Sequence, residues 1–336
     1  MENLDALRKH LSVRRRVLLL AHTAPDGDAI GSILALFHLL KDHGHSVRFI
    51  VPTDCPAYFD FLPGFEYLLI YKRHYDVSAR YLHHAETIFI LDLNDYARLD
   101  DDLGHAVAEK KCFKAMIDHH LNPKIEADFT LCDPSASSTS QLIHDFALAL
   151  YGKASITPDI ALCLYTGIAT DTGRFKFNTS AHTLAVVSHL LKCGLQLEWA
   201  NNCLFDVNTE KRLRLLGFAL TQRLTILPEY KTAFITISNE DLSAHRYEPG
   251  DLEGVVNYPL SIAGIKMAVL FREHENAVVR ISFRSKGTFS VNDLAFKYFE
   301  GGGHRNAAGG TSRRTLSETV NFFTGLLPEY KADLIE

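Results

Sequence analysis

Three short apolar runs in the first 120 residues each stop at a titratable side chain. Val17-Leu-Leu-Leu-Ala21 runs into His22, Thr87-Ile-Phe-Ile-Leu91 into Asp92, and the shorter Phe113–Ile117 into Asp118. Near-continuous apolar runs of this length fit strands covered on both faces, the condition found in parallel sheets. Ser46 to Val51 reads as a further strand. Helical spacing fills the intervals: Ala29 to Leu40, closing near Gly44; Tyr96 to Lys111; Ser137 to Tyr151; and Pro158 to Thr170, with Thr157 as cap and proline in the first turn. Alternating strands and helices imply right-handed crossovers and an α/β fold with a mostly parallel, doubly wound sheet.

The chain has 336 residues, long for one core, so two domains are expected. Helical patterns continue through Thr183–Cys193 and Thr209–Leu224, and from Lys231 strands dominate: Thr232–Ile237, Ala263–Phe271 and Ala277–Phe283. A helix near Val291–Phe299 and the cluster Gly301-Gly-Gly303 follow. This gives a first domain over 1–195, a helical linker over 196–228, and a smaller α/β domain over 229–336. Asp100-Asp101-Asp102 reads as a solvated loop and His83-His84 as a surface feature.

Composition narrows the function classes. With 47% hydrophobic and 22% charged residues the chain is globular rather than disordered. A net charge of -5 gives no broad basic surface for long duplex nucleic acid. The six cysteines show no C-x-x-C spacing and read as buried free thiols in a reducing compartment. The run after Arg14-Arg15-Arg16 is far too short to span a membrane, so a cytoplasmic protein is expected.

The chemistry lies in four segments: His22-Thr-Ala-Pro-Asp26-Gly-Asp28, Leu91-Asp92, Asp118-His119-His120, and Thr170-Asp171-Thr-Gly-Arg174. Three of them follow strands, and open parallel sheets bind ligands beyond the carboxyl ends of their strands. Carboxylates and imidazoles without thiolate suit hard-to-borderline divalent cations, Mn²⁺ first because histidine takes part, with Mg²⁺ or Co²⁺ as alternatives. The four acids Asp26, Asp28, Asp92 and Asp171 balance two such cations. A metal pair about 3.5–4 Å apart activates a water and clamps the oxygens of a phosphate ester.

These motifs resemble those of the DHH phosphoesterases. Asp118-His119-His120 is similar to the family's signature, and the other three segments look like its remaining metal motifs, in order. Gly301-Gly-Gly-His304-Arg-Asn-Ala-Ala-Gly-Gly310 is similar to the hallmark of the associated substrate-binding domain, DHHA1. The resemblance implies that His22, Asp26 and Asp92 hold one metal and that Asp28, Asp92, His119 and Asp171 hold the other, Asp92 bridging. It implies a His120 that faces the substrate phosphate and an Asp118 that orients its neighbours. Arg280, Arg284, Ser285 and Lys286, with Gly302, Gly303 and His304, would grip phosphate in the second domain.

The length and two-domain plan look like the small bacterial members that degrade nanoRNA and dephosphorylate 3′,5′-adenosine bisphosphate. Expected partners are therefore short RNA or DNA oligonucleotides or small nucleotides, with no long duplex and no membrane; a homodimer is open to such a chain. An exopolyphosphatase is the alternative enzyme, and a non-catalytic nucleotide-binding regulator the alternative class. Tyr258 and Phe289 are the candidates for base stacking, with buried packing favoured for each.

Overall fold

The computed structural model describes residues 3–274 and 278–335. The chain divides into two compact units, Met1–Val207 and Asn208–Glu336. In the first, six strands form one sheet: β1 (Arg16–Leu20), β2 (Ser46–Val51), β3 (Leu69–Ile70), β4 (Thr87–Leu91), β5 (Phe113–Asp118) and β6 (Phe129–Cys132). All pairings are parallel and the order is β3-β2-β1-β4-β5-β6. Strand order therefore reverses between β1 and β4, which is where a doubly wound sheet opens a crevice for ligands.

Alternate side chains of each strand leave by opposite faces. Leu19, Phe49 and Phe89 join the core under the helices Gly27–Asp42, Thr139–Tyr151 and Pro158–Asp171. Leu18, Leu20, Ile50, Ile88 and Ile90 pack on the other face with Leu82, Leu103 and Val107. Each such fully buried side chain is worth about 1.5–3 kcal/mol, so burial on both faces is what holds these runs in the sheet.

In the second unit a six-stranded sheet contains β7 (Leu224–Leu227), β8 (Thr232–Ile237), β9 (Met267–His274), β10 (Val278–Ser285), β11 (Gly302–His304) and β12 (Ala307–Ser312). Its order is β11-β12-β10-β9-β8-β7, parallel only at β8–β9. One face packs on Phe283, Phe299 and Phe323, the other on Leu215, Val255 and Leu260.

Several local expectations change. Tyr96–Lys111 is not one helix: a 3-10 turn covers Tyr96–Arg98, and the helix proper is Asp101–Glu109. Asp100 stands at its N-cap with Asp101 and Asp102 in the first turn, where carboxylates oppose the helix dipole, so the acidic triplet is a helix start and not a loop. The helix after Thr209 ends at Gln222, and Leu224–Leu227 pairs as β7. An additional helix covers Leu197–Phe205. The strand expected from Ala263 starts at Met267; that expected from Ala277 starts outside the described residues and is seen over Val278–Ser285. Only Cys163 of the six free thiols is fully buried. His83 and His84 lie exposed. Tyr258 is half-exposed, whereas Phe289 packs in the core. No helix among the described residues is long and apolar enough to cross a membrane.

Candidate metal centre

The residues that follow β1, β4 and β5 converge with the two ends of neighbouring helices. Three overlapping groups of possible ligands form: His22, Asp26 and Asp92; Asp28, His119 and Asp171; and Asp92, His119 and His120. Within each group the ligand atoms lie within 4.8 Å of one another.

Asp92 joins them. Its Oδ2 faces His22 Nε2 at 3.2 Å, and its Oδ1 faces His119 Nε2 at 3.6 Å. Nδ1 of His22 donates to the Thr23 carbonyl at 2.9 Å, and Nδ1 of His119 lies 3.4 Å from the Ala136 carbonyl. Those bonds fix both rings with Nε2 towards the acids, the arrangement that metal-ligating histidines adopt. Asp26 caps the helix Gly27–Asp42, its Oδ1 accepting from the N–H groups of Asp28 and Ala29, and sits 3.9 Å from His22 Nε2.

Asp28 is buried at the first turn of that helix. Its carboxylate accepts the backbone N–H of Thr139 at 2.6 Å and of Ser140 at 2.9 Å, the opening of another helix, whose exposed N–H groups favour an anion. Asp171 ends the helix Pro158–Asp171, with Oδ2 3.5 Å from His119 Nε2. Glycines set this convergence. A Cβ at Gly31 would lie 2.5 Å from the Cys163 carbonyl oxygen, and one at Gly167 would lie 1.9 Å from Ser140 Oγ and 2.6 Å from Asp28 Oδ1. Only glycine lets these helices approach closely enough to bring Asp28 and Asp171 onto one histidine.

The electrostatics are those of a crowded anionic cage. Burial, then the Asp92 charge, pushes Asp28 up to about 7. Burial and the Asp28 charge raise Asp171 well above the carboxylate range. Burial by itself would lower both histidines, but the surrounding acids outweigh it: Asp92 and Asp26 raise His22 to about 9, and Asp28, Asp92 and Asp171 raise His119 to about 9. Asp92, although buried, is held well below the usual range by the His22 hydrogen bond and the imidazole charges. The cage thus collects protons at neutral pH, as ligands built to be neutralised by cations should. Its donors are oxygen and imidazole nitrogen alone, which fits divalent cations of the Mn²⁺ or Mg²⁺ kind.

His120 stands differently. Its Nδ1 donates to Asp118 Oδ1 at 2.6 Å, and Arg98 Nη1 lies 3.0 Å from its Nε2. A guanidinium can only donate, so Nε2 accepts and the ring is the neutral Nδ1–H tautomer. Asp118 is fully buried, and its Oδ2 has no hydrogen-bond partner among the described residues.

Sequence reasoning did not single out Arg98, nor Thr139, whose hydroxyl donates to Asp92 Oδ1 at 3.1 Å. The signal for the latter was the hydroxyl run Ser137-Ser138-Thr139-Ser140 before a helix. Any N-cap can look like that.

In the second unit the triple glycine leads into a hairpin, in which β11 pairs with β12. A Cβ at Gly301 would lie 2.0 Å from the Gly309 carbonyl oxygen, and one at Gly303, where φ is 148°, 2.5 Å from that of Ala307. Beside the hairpin is a hollow of about 520 Å³ lined by Arg272, His274, Arg280, Glu300, Gly301 and Gly302 among others. Arg272 and Arg280 stand directly opposite on β9 and β10. Like charges so placed repel, and an anion bound there would relieve them.

Ser285 sits at the strand end. Its buried hydroxyl donates to the Phe289 carbonyl at 2.7 Å and accepts from Asn306 at 2.8 Å, which makes it part of the frame. Arg284 is partly buried, donates to the Phe283 carbonyl at 2.9 Å, and like Lys286, Gly303 and His304 does not line the hollow.

Residues 16–168 match the DHH family, N-terminal domain, and residues 231–327 match the DHHA1 domain. A protein of Thermus thermophilus named bifunctional oligoribonuclease and PAP phosphatase NrnA is 31% identical, over 89% of this chain and 85% of its own. A Bacillus subtilis protein of the same name is 31% identical, over 90% of this chain and 91% of its own. The crystal structure of an exopolyphosphatase-related protein from Bacteroides fragilis superposes with a TM-score of 0.96 at 35% identity, covering 99% of this chain and 97% of that one.

Proposed function

The chain belongs to the DHH family of phosphoesterases, and from that premise we propose that it hydrolyses short oligoribonucleotides and 3′,5′-adenosine bisphosphate to mononucleotides. The observation that carries the reading is the divided Asp92 carboxylate, with one oxygen towards His22 and the other towards His119. On this reading His22, Asp26 and Asp92 hold one divalent cation, and Asp28, Asp92, His119 and Asp171 hold the second. Manganese suits the mixed oxygen and imidazole donors. When bound, such a pair supplies an acidified water and offsets the charge of a phosphate ester.

The protein's own residues do the rest. Asp118 fixes the His120 tautomer, and Arg98 holds a guanidinium against the same ring. Arg98 then stabilises the charge that grows on the phosphate oxygens, and His120, beside the phosphate, orients that guanidinium through Nε2. The first unit is the catalytic one. The second binds phosphate or nucleotide in the hollow of Arg272, Arg280 and Gly302, where guanidinium forks and open backbone suit an anion.

The name of the Bacteroides fragilis protein brings in a second substrate, polyphosphate. One panel decides between them: a dinucleotide, a 30-residue RNA, 3′,5′-adenosine bisphosphate and polyphosphate, each with Mn²⁺, Mg²⁺ or Co²⁺. We expect turnover of the dinucleotide and the bisphosphate, fastest with Mn²⁺, and slow attack on the 30-mer. Phosphate release from polyphosphate alone would move the assignment there. No turnover of any substrate would leave a nucleotide-binding regulator.

A further inference from the structure

At the amino ends of β1 and β2, on the rim opposite the metal centre, lies a second hollow of about 270 Å³. Three guanidiniums line it, those of Arg16, Arg48 and Arg80, together with Tyr81 and His84 over a floor of Val17, Leu18 and Ala85. No aspartate or glutamate is among its lining residues. The length of β1, about 16 Å at 3.3 Å per residue, separates it from the acids.

The charge in this hollow is largely uncompensated. Glu86 meets Arg16 at 3.4 Å. Arg48 stacks over the Tyr81 ring, 5.4 Å from its centroid, and gives one N–H to the Val47 carbonyl. The Arg80 side chain has no hydrogen bond or ion pair among the described residues, and the His84 ring meets only the ring of His83. Two guanidiniums thus remain without a carboxylate around a concave surface.

Surface arginines are usually solvated one by one. Here the parallel register sets Arg48 beside Leu18, and the helix Tyr75–His84 brings Arg80 and His84 over the same end of the sheet. A concave wall that is cationic at one side, aromatic and apolar elsewhere, matches a phosphomonoester carrying a flat organic body. We propose that this hollow is a binding site for a nucleoside monophosphate, separate from the metal centre and open to the product of a nucleotide-releasing reaction.

The test is calorimetry on the full-length protein in EDTA, so that no metal-held phosphate contributes, with AMP, adenosine and inorganic phosphate as titrants. AMP should bind. Arg80→Ala, and more so Arg48→Ala with Arg80→Ala, should remove one molar equivalent or weaken it at least tenfold. Asp92→Asn should leave it unchanged. Both arginines are exposed, and melting curves of the variants establish that they fold. AMP binding unaltered in the double variant overturns the proposal, as does adenosine or free phosphate binding as tightly as AMP. Because Asp92→Asn abolishes only the proposed chemistry, failure of the site and failure of the catalytic reading are told apart.

Discussion

His22 Nε2 stands 3.2 Å from Asp92 Oδ2, and the aspartate that accepts it has left-handed backbone, with φ at 54°. Left-handed geometry costs most residues about 1–2 kcal/mol, but asparagine and aspartate least. The sharp turn at the end of β4 is what aims this carboxylate back across the crevice.

Asp92→Asn should therefore keep the fold and lose the chemistry. We expect turnover of 3′,5′-adenosine bisphosphate to fall about a thousandfold or more, with bound metal dropping in elemental analysis. Asp92→Ala should lose as much activity and be about 1–2 kcal/mol less stable than the asparagine variant in urea. An active Asp92→Asn enzyme would remove Asp92 from the centre of the mechanism.

The metal-free cage should be a pH sensor of its own stability. A histidine raised to about 9 in the fold, as His22 and His119 are, stabilises fully below 6.5 and gives that up as pH climbs through 9. Asp28, raised to about 7, binds a proton in the fold that the unfolded chain does not, so it too costs stability as pH rises from about 4 to 7. Protein stripped of metal should melt lower at pH 9 than at pH 6.5. Saturating Mn²⁺ should flatten that slope, and metal uptake near pH 7 should release protons, measurable in buffers of different ionisation enthalpy. A flat metal-free profile would contradict the assignment.

Gly167→Ala should disturb the centre from the second row of contacts. The added methyl meets Ser140 and Asp28 at distances no packing tolerates. A loss of about 1–3 kcal/mol is expected, with weaker metal binding by titration. Gly217→Ala is the control: a Cβ there meets nothing within 4 Å in the helix Glu210–Gln222, and a gain of about 0.5–1 kcal/mol is expected.

Arg98→Ala should lower kcat about 100–1,000-fold, the scale of one lost charge-stabilising donor, with metal content unchanged. Arg280→Ala should instead raise KM for phosphorylated substrates about tenfold, with kcat within about twofold. Steady-state kinetics separate the two. The same KM effect from Arg284→Ala, which lies outside the hollow, would redraw the substrate site.

What could be read from the chain follows from how local each signal is. Asp92 and Asp118 were visible because an acid that closes an apolar strand stands out sharply from the residues before it. The chain order of β1, β2, β4 and β5 was legible because each is a short, mostly apolar run of strand length. β3, two residues long, has no period to detect, and β6 has only four. Thr139 and Arg98 act through contacts with residues 47 and 22 positions away, which no local pattern carries. The glycines before His304 were legible as special but not as a hairpin, because a run of glycine states that something must come close and not what.

The sheet order has a consequence for how such a protein is made. β1 and β4 are spatial neighbours separated by 66 residues of chain from Leu20 to Thr87, and the last acid of the cage, Asp171, comes 84 residues after β4 begins. A nascent polypeptide leaving the ribosome therefore lacks the last acid of the cage until more than half of it has emerged. On the proposed reading, the full pair of cations would then be completed only in an assembled first unit, displacing the protons that the cage otherwise carries.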